Sequence, residues 1–277
     1  MTTATVRGGV LIAALLLLAA GCTTTPRPKP PPHPGSPPPS RAYTVDDFFG
    51  TQFRMQDFGS FGANRVSVRP SSDPRFATVL RVRYPANSAS QLSANTDNTS
   101  DGGAQFYLGL AAGARDEAYL RYYIRLPEGF NFVKGGKLPG LYGGRTTSGR
   151  DIPDGTDGFS TRYMWRTGGA GEVYAYLPSS VAHGTSLGRG EWSWPTGKWF
   201  SVQQYVRLNQ PGHDDGEIRV WLDGTQVLDK TGLTFRTTGQ LRIDGLFFST
   251  FFGGGDASWA TPVNQYADFA GFTVSDH

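Results

Sequence analysis

The sequence predicts an all-β protein, a single β-sandwich of jelly-roll type, and three observations lead there. Apolar and polar residues alternate with a period of two over many short segments, the pattern of strands that bury one face. Clusters of Gly, Pro, Asn and Asp separate those segments, and no stretch carries the apolar stripe of an amphipathic helix. Composition agrees: of 277 residues 37 are Gly and 19 are Pro, and only 18% are charged, which excludes a coiled coil or a helical bundle. The length suits one large domain with its own core.

In chain order, residues 1–21 read as an export signal. Arg7 precedes an apolar run, VLIAALLLLAA, at residues 10–20, too short to span a bilayer comfortably. It ends in Leu18-Ala19-Ala20-Gly21-Cys22, which resembles the bacterial lipoprotein cleavage box with its leucine one place early. Cys22 is the only cysteine, so disulfide frameworks and Cys-based zinc sites are excluded. A lipid on Cys22 is expected to hold the protein at a membrane outside the cytoplasm; without it the chain would be secreted. Residues 22–42 are expected to be a disordered tether. Nine of the 19 prolines fall within residues 23–41, and such a run favours extended polyproline II over a packed core.

The β-domain is assigned to residues 43–277. Residues 117–126 alternate Ala118, Leu120, Tyr122, Ile124 and Leu126 against Tyr119, Arg121, Tyr123 and Arg125. Residues 199–208 alternate Phe200, Val202, Val206 and Leu208 against Gln203, Tyr205 and Arg207. Further strands are expected at 77–84, 105–110, 159–165, 173–177, 217–222, 243–252 and 265–274, with Asp223-Gly224 as a hairpin turn. The formal charge of +3 misleads about this domain. Arg7, Arg27, Lys29 and Arg41 all precede it with no acid among them, which leaves 22 basic against 23 acidic residues and a net −1. General nucleic-acid binding loses its compositional support. A monomer is expected.

Three segments carry candidate chemistry. GFNFVKGGKLPGLYGG at 129–144 sets Lys137 in what reads as a glycine-built loop. GFSTRYMW at 158–165 puts Phe159, Thr161, Tyr163 and Trp165 on one face, with Ser160 and Arg162 on the other. EVYAYLP at 172–178 separates Val173, Ala175 and Leu177 from Tyr174 and Tyr176. If the apolar sets face the core, Ser160, Arg162, Tyr174 and Tyr176 project together from one sheet. Lys, Arg, Ser and two Tyr without a carboxylate pair suit β-elimination on a uronic-acid polymer. Charge develops on the substrate carboxylate and needs a cation and hydrogen-bond donors there, which Arg162 with Ser160 can supply. A base must take the C5 proton and an acid must protonate the leaving oxygen. Lys or Tyr, with ordinary pKa values of about 10, can serve if that value falls. Nearby positive charge would favour a tyrosinate and activity above neutral pH. No cofactor or metal is expected.

These segments resemble polysaccharide lyase family 14, the alginate and glucuronan lyases of jelly-roll fold, from about residue 119 to residue 274. KGGKLPGLYGG, FSTRYMW with VYAYLP, and FFSTFFGGGDASW carry the resemblance most densely. It implies that Lys137, Ser160, Arg162, Tyr174 and Tyr176 are catalytic, that the partner is an acidic polysaccharide and that the fold is a jelly roll. How Lys137 and the two tyrosines divide base from acid stays open, as does a part for His183. Arg121, Tyr123, Arg125, Gln203, Tyr205 and Arg207 are candidates for a polyanion groove or, equally, solvated faces. A non-catalytic sugar-binding sandwich is the alternative function. A glycoside hydrolase ranks last, because Glu172 is the only acid near the key strands and that chemistry needs two carboxylates.

Overall fold

The computed structural model describes residues 44–276 apart from Asn98 and Thr146. The expected export signal, Cys22 and the proline tether lie outside the described residues. Helices are confined to two short pieces, α1 (Val45–Phe49), capped by Thr44 and Asp47, and α2 (Gln91–Asp97), besides single 3₁₀ turns. Sixteen strands are found among the described residues. They are β1 (Phe53–Met55), β2 (Val66–Pro70), β3 (Thr78–Tyr84), β4 (Ser88–Ala89), β5 (Ser100–Asp101), β6 (Ala104–Leu110), β7 (Glu117–Arg125) and β8 (Gly135–Gly144). Then follow β9 (Gly158–Arg166), β10 (Gly171–Tyr176), β11 (Thr185–Leu187), β12 (Trp199–Arg207), β13 (Gly216–Leu222), β14 (Thr225–Leu233), β15 (Gly245–Thr250) and β16 (Gln265–Ser275).

Fourteen of them form two seven-stranded sheets. The front sheet runs β1-β6-β15-β8-β9-β10-β11 and the back sheet β14-β13-β12-β7-β16-β3-β2, while β4 and β5 make a small parallel pair. Neighbours within the large sheets are antiparallel. The inner faces meet as a sandwich. Leu138, Leu141, Phe159, Tyr163, Trp165, Val173 and Phe248 from the front pack against Leu80, Val82, Leu120, Tyr122, Ile124, Phe200 and Val202 from the back. All are buried, each contributing about 1.5–3 kcal/mol of transfer free energy. The alternation read from residues 117–126 and 199–208 is the physical cause: one parity of each strand is the core. Asp223 and Gly224, with φ of 45° and 79°, join β13 to β14 in a turn that requires positive φ at both positions.

One segment departs from its sequence reading. KGGKLPGLYGG is the central strand β8, paired to β15 and β9, and not a loop. Its glycines are there for close packing. A Cβ on Gly136 would lie 2.1 Å from the Trp165 ring, and one on Gly140 would lie 2.2 Å from the Thr161 carbonyl. Pro139 is tolerated at the irregularity between Leu138 and Leu141, where a ladder bond is already interrupted. Its carbonyl accepts a hydrogen bond from the Tyr122 hydroxyl across the core at 3.0 Å.

A further buried polar link between the sheets lies at Gln204. Gln204 of β12 faces inward, its Oε1 accepts from Thr161 Oγ1 at 2.7 Å, and its Nε2 donates to the Thr161 carbonyl at 2.8 Å. Both residues are fully buried. The pair clamps β9 between Ser160 and Arg162. Gln204→Leu is therefore expected to cost about 1–3 kcal/mol by stranding buried polar groups of Thr161, visible as a lower Tm. Adding Thr161→Val should recover much of the loss, because the orphaned hydroxyl goes with it. Equal Tm values for the wild type and the Gln204→Leu variant would show that the link carries no stability.

Candidate active site

The outer face of the front sheet gathers the five residues singled out from the sequence. Across β8, β9 and β10 the register aligns Lys137 with Met164 and Glu172, and Tyr142 with Ser160 and Tyr176, while Arg162 stands opposite Tyr174 between those rows. The inward parity of β9 and β10 is apolar apart from Thr161, so these side chains have only the outer face left. Nearly all of them are buried: Arg162 is 2% exposed, Tyr176 1% and Lys137 8%.

Arg162 is the unusual group. Its Nη1 donates to Ser249 Oγ at 3.0 Å, and its guanidinium lies 4.3 Å from the centre of the Phe247 ring. Ser249 in turn donates to Gln105 Oε1 at 3.2 Å. Gly140, aligned with Phe247, stands between Arg162 and β15, and its missing side chain leaves room for the Thr161–Arg162 backbone. Among the described residues no carboxylate pairs with Arg162, and its Nε has no partner. Burial lowers its pKa from the usual arginine value, which states the same fact electrostatically: the cation is desolvated without a counter-charge. Arg166 provides the contrast. It binds fully buried Glu172, with Nε 2.9 Å from Oε1, so that charge is spent.

Lys137 lies under the ring of Tyr174, with Nζ 4.2 Å from the ring centre and 2.8 Å from Met164 Sδ. A thioether is a weak acceptor and does little for an ammonium. Burial, reinforced by the Arg162 and Arg166 charges and opposed by Glu172, holds the Lys137 amine well below its ordinary pKa. Tyr176 moves the other way. Burial raises its pKa above the ordinary phenol value, and the opposing influence of Arg162 does not overcome it. The tyrosinate expected from nearby positive charge is thus corrected for Tyr176: desolvation outweighs the Coulomb attraction, and it stays a phenol.

Two loops close over these rows. The Tyr176 hydroxyl donates to the Gly149 carbonyl at 2.6 Å, and His183 Nδ1 lies 3.2 Å from the same oxygen. Gly184 packs on both tyrosine rings, since a Cβ there would sit 2.8 Å from Tyr176 and 2.9 Å from Tyr174. Ser160 donates to the Thr147 carbonyl at 2.9 Å, so its hydroxyl anchors a loop, and Ser249 is the serine that touches Arg162. Sequence reasoning missed Ser249, Gln105, Met164 and the aromatic cluster Tyr107, Tyr142 and Phe247. Met164 shares parity with Ser160 and Arg162 and was findable. Ser249 and Gln105 were not, because only sheet pairing places β15 beside β8 and β6 beside β15.

The six groove candidates fall elsewhere. Arg121, Tyr123 and Arg125 of β7 and Gln203, Tyr205 and Arg207 of β12 lie on the outer face of the back sheet. The core separates them from Arg162, so they do not line this site. Alternation is the reason: their inward neighbours Leu120, Tyr122, Ile124 and Val202 are core.

A family model, that of polysaccharide lyase 14, matches residues 73–272. The chain belongs to that family. Its fold resembles the crystal structure of the marine PL-14 alginate lyase from Aplysia kurodai, at 32% identity and a TM-score of 0.69 over 79% of this chain and 89% of that one. The alginate lyase vAL-1 from a Chlorella virus superimposes with a TM-score of 0.68 at 22% identity, covering 82% and 94% of the two chains. An endo-β-1,4-glucuronan lyase from the fungus Trichoderma reesei gives 0.54 at 11% identity, over 83% and 93%. These last two speak for the fold alone. No curated protein matches the chain. The protein is a polysaccharide lyase, with an all-β sandwich fold.

For this lyase the close approach at Gly140 should be critical. A Cβ there would also lie 2.6 Å from the Arg162 Cα, forcing β8 and β9 apart where Arg162 is held. Gly140→Ala is expected to cut kcat/KM by roughly 100-fold, the scale of an ångström-level misplacement, with the β-type circular dichroism retained. Near-wild-type turnover would show that the packing at Gly140 does not position Arg162.

Proposed function

We propose that this polysaccharide lyase cleaves a uronate polymer of the alginate type by β-elimination, using Arg162, Lys137 and Tyr176. The observation that carries the reading is the buried, unpaired guanidinium of Arg162. A desolvated cation with a free Nε and no carboxylate partner among the described residues is a receptor for an anion. The 32% identity to the Aplysia alginate lyase supports a uronate as that anion and alginate as the first polymer to test.

The steps follow from the electrostatics. Arg162 seats the carboxylate of the sugar that loses its C5 proton and stabilises the enolate-like charge that develops there. Lys137, kept neutral by burial, takes the C5 proton. The electron pair left behind forms the C4–C5 double bond and expels the glycosidic oxygen from C4. Tyr176, kept protonated by burial, gives that oxygen its proton. The two pKa values are pushed in opposite directions, the arrangement that lets one site hold a base and an acid together. Tyr174 covers the amine and limits its contact with water. A binding module has no need of a lysine whose ammonium is destabilised, so the catalytic reading is preferred to the sugar-binding one. We also infer that a lipid on Cys22 anchors the enzyme outside the cytoplasm; the supporting feature is the cleavage box around the only cysteine.

Incubation with alginate, glucuronan and other polyuronates should generate unsaturated uronate absorbance, and Arg162→Ala should reduce turnover at least about 100-fold. With the best polymer, kcat/KM should rise with pH as Lys137 loses its proton, on a limb well below the ordinary lysine pKa of about 10.4. The falling limb, set by loss of the Tyr176 proton, should lie above about pH 10. Lys137→Arg should be inactive because a guanidinium cannot deprotonate, and Tyr176→Phe should lower kcat with little change in KM. Tight binding of every polyuronate without a new double bond at any pH would end the lyase reading. For the anchor, Cys22→Ser should move the protein from the membrane to the soluble fraction. A variant that stays membrane-bound would refute the lipid assignment.

A further inference from the structure

The back sheet carries a concentration of positive charge that the reaction on the front sheet does not use. In the half built from β2, β3, β16 and β7, the outward positions include Arg69, Arg81, Arg83, Arg121 and Arg125. Arg75 folds over the same face from the β2–β3 loop, 5.5 Å from the Tyr123 ring centre. The acids facing them include Asp268, held by Arg81 at 2.7 and 2.8 Å, Asp73, held by Arg75 at 2.8 Å, and Asp223, whose charge reaches Arg75. Arg125 lies close enough to Asp73 to help lower its pKa. Arg69, Arg83, Arg121 and Arg125 form no ion pair among the described residues, and Arg83 donates only to the Asn64 carbonyl. Four arginines without an ion pair among the described residues, on half of one sheet, are notable in a domain whose net charge is −1.

The positive charge is interleaved with rings. The register aligns Arg81, Asp268, Arg125 and Trp199 in one row across β3, β16, β7 and β12, with Arg83 beside Tyr266 in a neighbouring row. Three strand spacings make that row about 14 Å long, room for a short run of sugars. Phe76, Tyr123 and Trp199 cluster at one end of it, with ring centres 4.9 and 5.1 Å apart. At the other end a cleft of about 450 Å³ is lined by Arg69, Arg81, Arg83, Asn264, Gln265 and Tyr266. Guanidinium groups, amides and partly buried rings, with Arg81 3.6 Å over Tyr266 and Arg75 over Phe76 and Tyr123, together suit a chain of sugars with a carboxylate on each.

We propose that this face is a second, non-catalytic binding surface for the acidic polysaccharide, holding the polymer while the front sheet cuts it. The proposal rests on the polyuronate reading above. The other half of the sheet is excluded, because Arg207 and Arg219 are paired there with Glu217 and Asp229. Such a surface changes local polymer concentration and not the chemical step, so it should matter for long chains and not for short ones.

The test uses the full chain. In native gels cast with alginate, an Arg162→Ala variant should still be retarded. Adding Arg69→Ser, Arg83→Ser and Arg125→Ser should weaken that binding at least about fivefold, the scale of three exposed ionic contacts. In the otherwise wild-type enzyme the triple substitution should lower kcat/KM on polymeric alginate severalfold and leave turnover of an alginate tetrasaccharide unchanged. The proposal is overturned if Arg162→Ala alone abolishes retardation, or if the triple substitution leaves retardation intact. It is also overturned if a gel cast with polyphosphate retards the protein as strongly, since a surface with sugar-stacking rings should prefer the saccharide. Failure of the lyase reading has its own signature: no unsaturated product from the wild type on any polyuronate, whatever the gels show.

Discussion

A guanidinium buried without a carboxylate is the constraint around which the front sheet is organised. Removing a cation from water costs several kcal/mol in a real protein, even after relaxation, and Arg162 recovers only part of this from Ser249 and the Phe247 ring. The remainder is an unmet demand for negative charge. The sheet tolerates it because the surroundings are rigid. β9 is clamped from below by Thr161 and Gln204, flanked by β8 at glycine-only distance, and covered by loops that accept from Ser160 and Tyr176. A mobile arginine would turn out to solvent; this one is held in place by its packing.

The same burial sets the state of its neighbours. Lys137 and Tyr176 are both removed from water, and desolvation favours the neutral form of each, which lowers an amine pKa and raises a phenol pKa. Glu172 opposes the shift at Lys137 without cancelling it, because desolvation and the Arg162 and Arg166 charges together outweigh it. One environment therefore favours a neutral amine and a neutral phenol at the same pH. Two carboxylates of a hydrolase would need different environments to reach the same division.

The two sheets use their outer faces differently. The front face is nearly closed, with its cation desolvated and its rings covered. The back face is open, with arginines at the surface and rings partly buried. Ionic contacts there are weak singly and sensitive to salt, which suits retention of a long polymer and not chemistry.

Much of this was legible in the sequence. Period-two alternation at residues 117–126 and 199–208 determined an all-β sandwich, since in an antiparallel strand one parity has to be core. The same rule put Ser160, Arg162, Tyr174 and Tyr176 on one face, and Asp223-Gly224 marked its hairpin. The sequence could not tell that KGGKLPGLYGG is a central strand, because glycine and proline signal a turn unless a neighbouring strand needs the space their side chains would fill. Nor could alternation say which sheet a strand joins. By residue type Arg121, Tyr123 and Arg125 suited a polyanion groove and a solvated face equally, and strand order placed them on the far side of the core from Arg162. Ser249 and Gln105 meet Arg162 only through the pairing of β6, β15 and β8. Tertiary structure also decided the protonation states. From the sequence, positive charge near tyrosine suggested a tyrosinate, but the sign of a pKa shift depends on burial, and burial is a property of the packed chain.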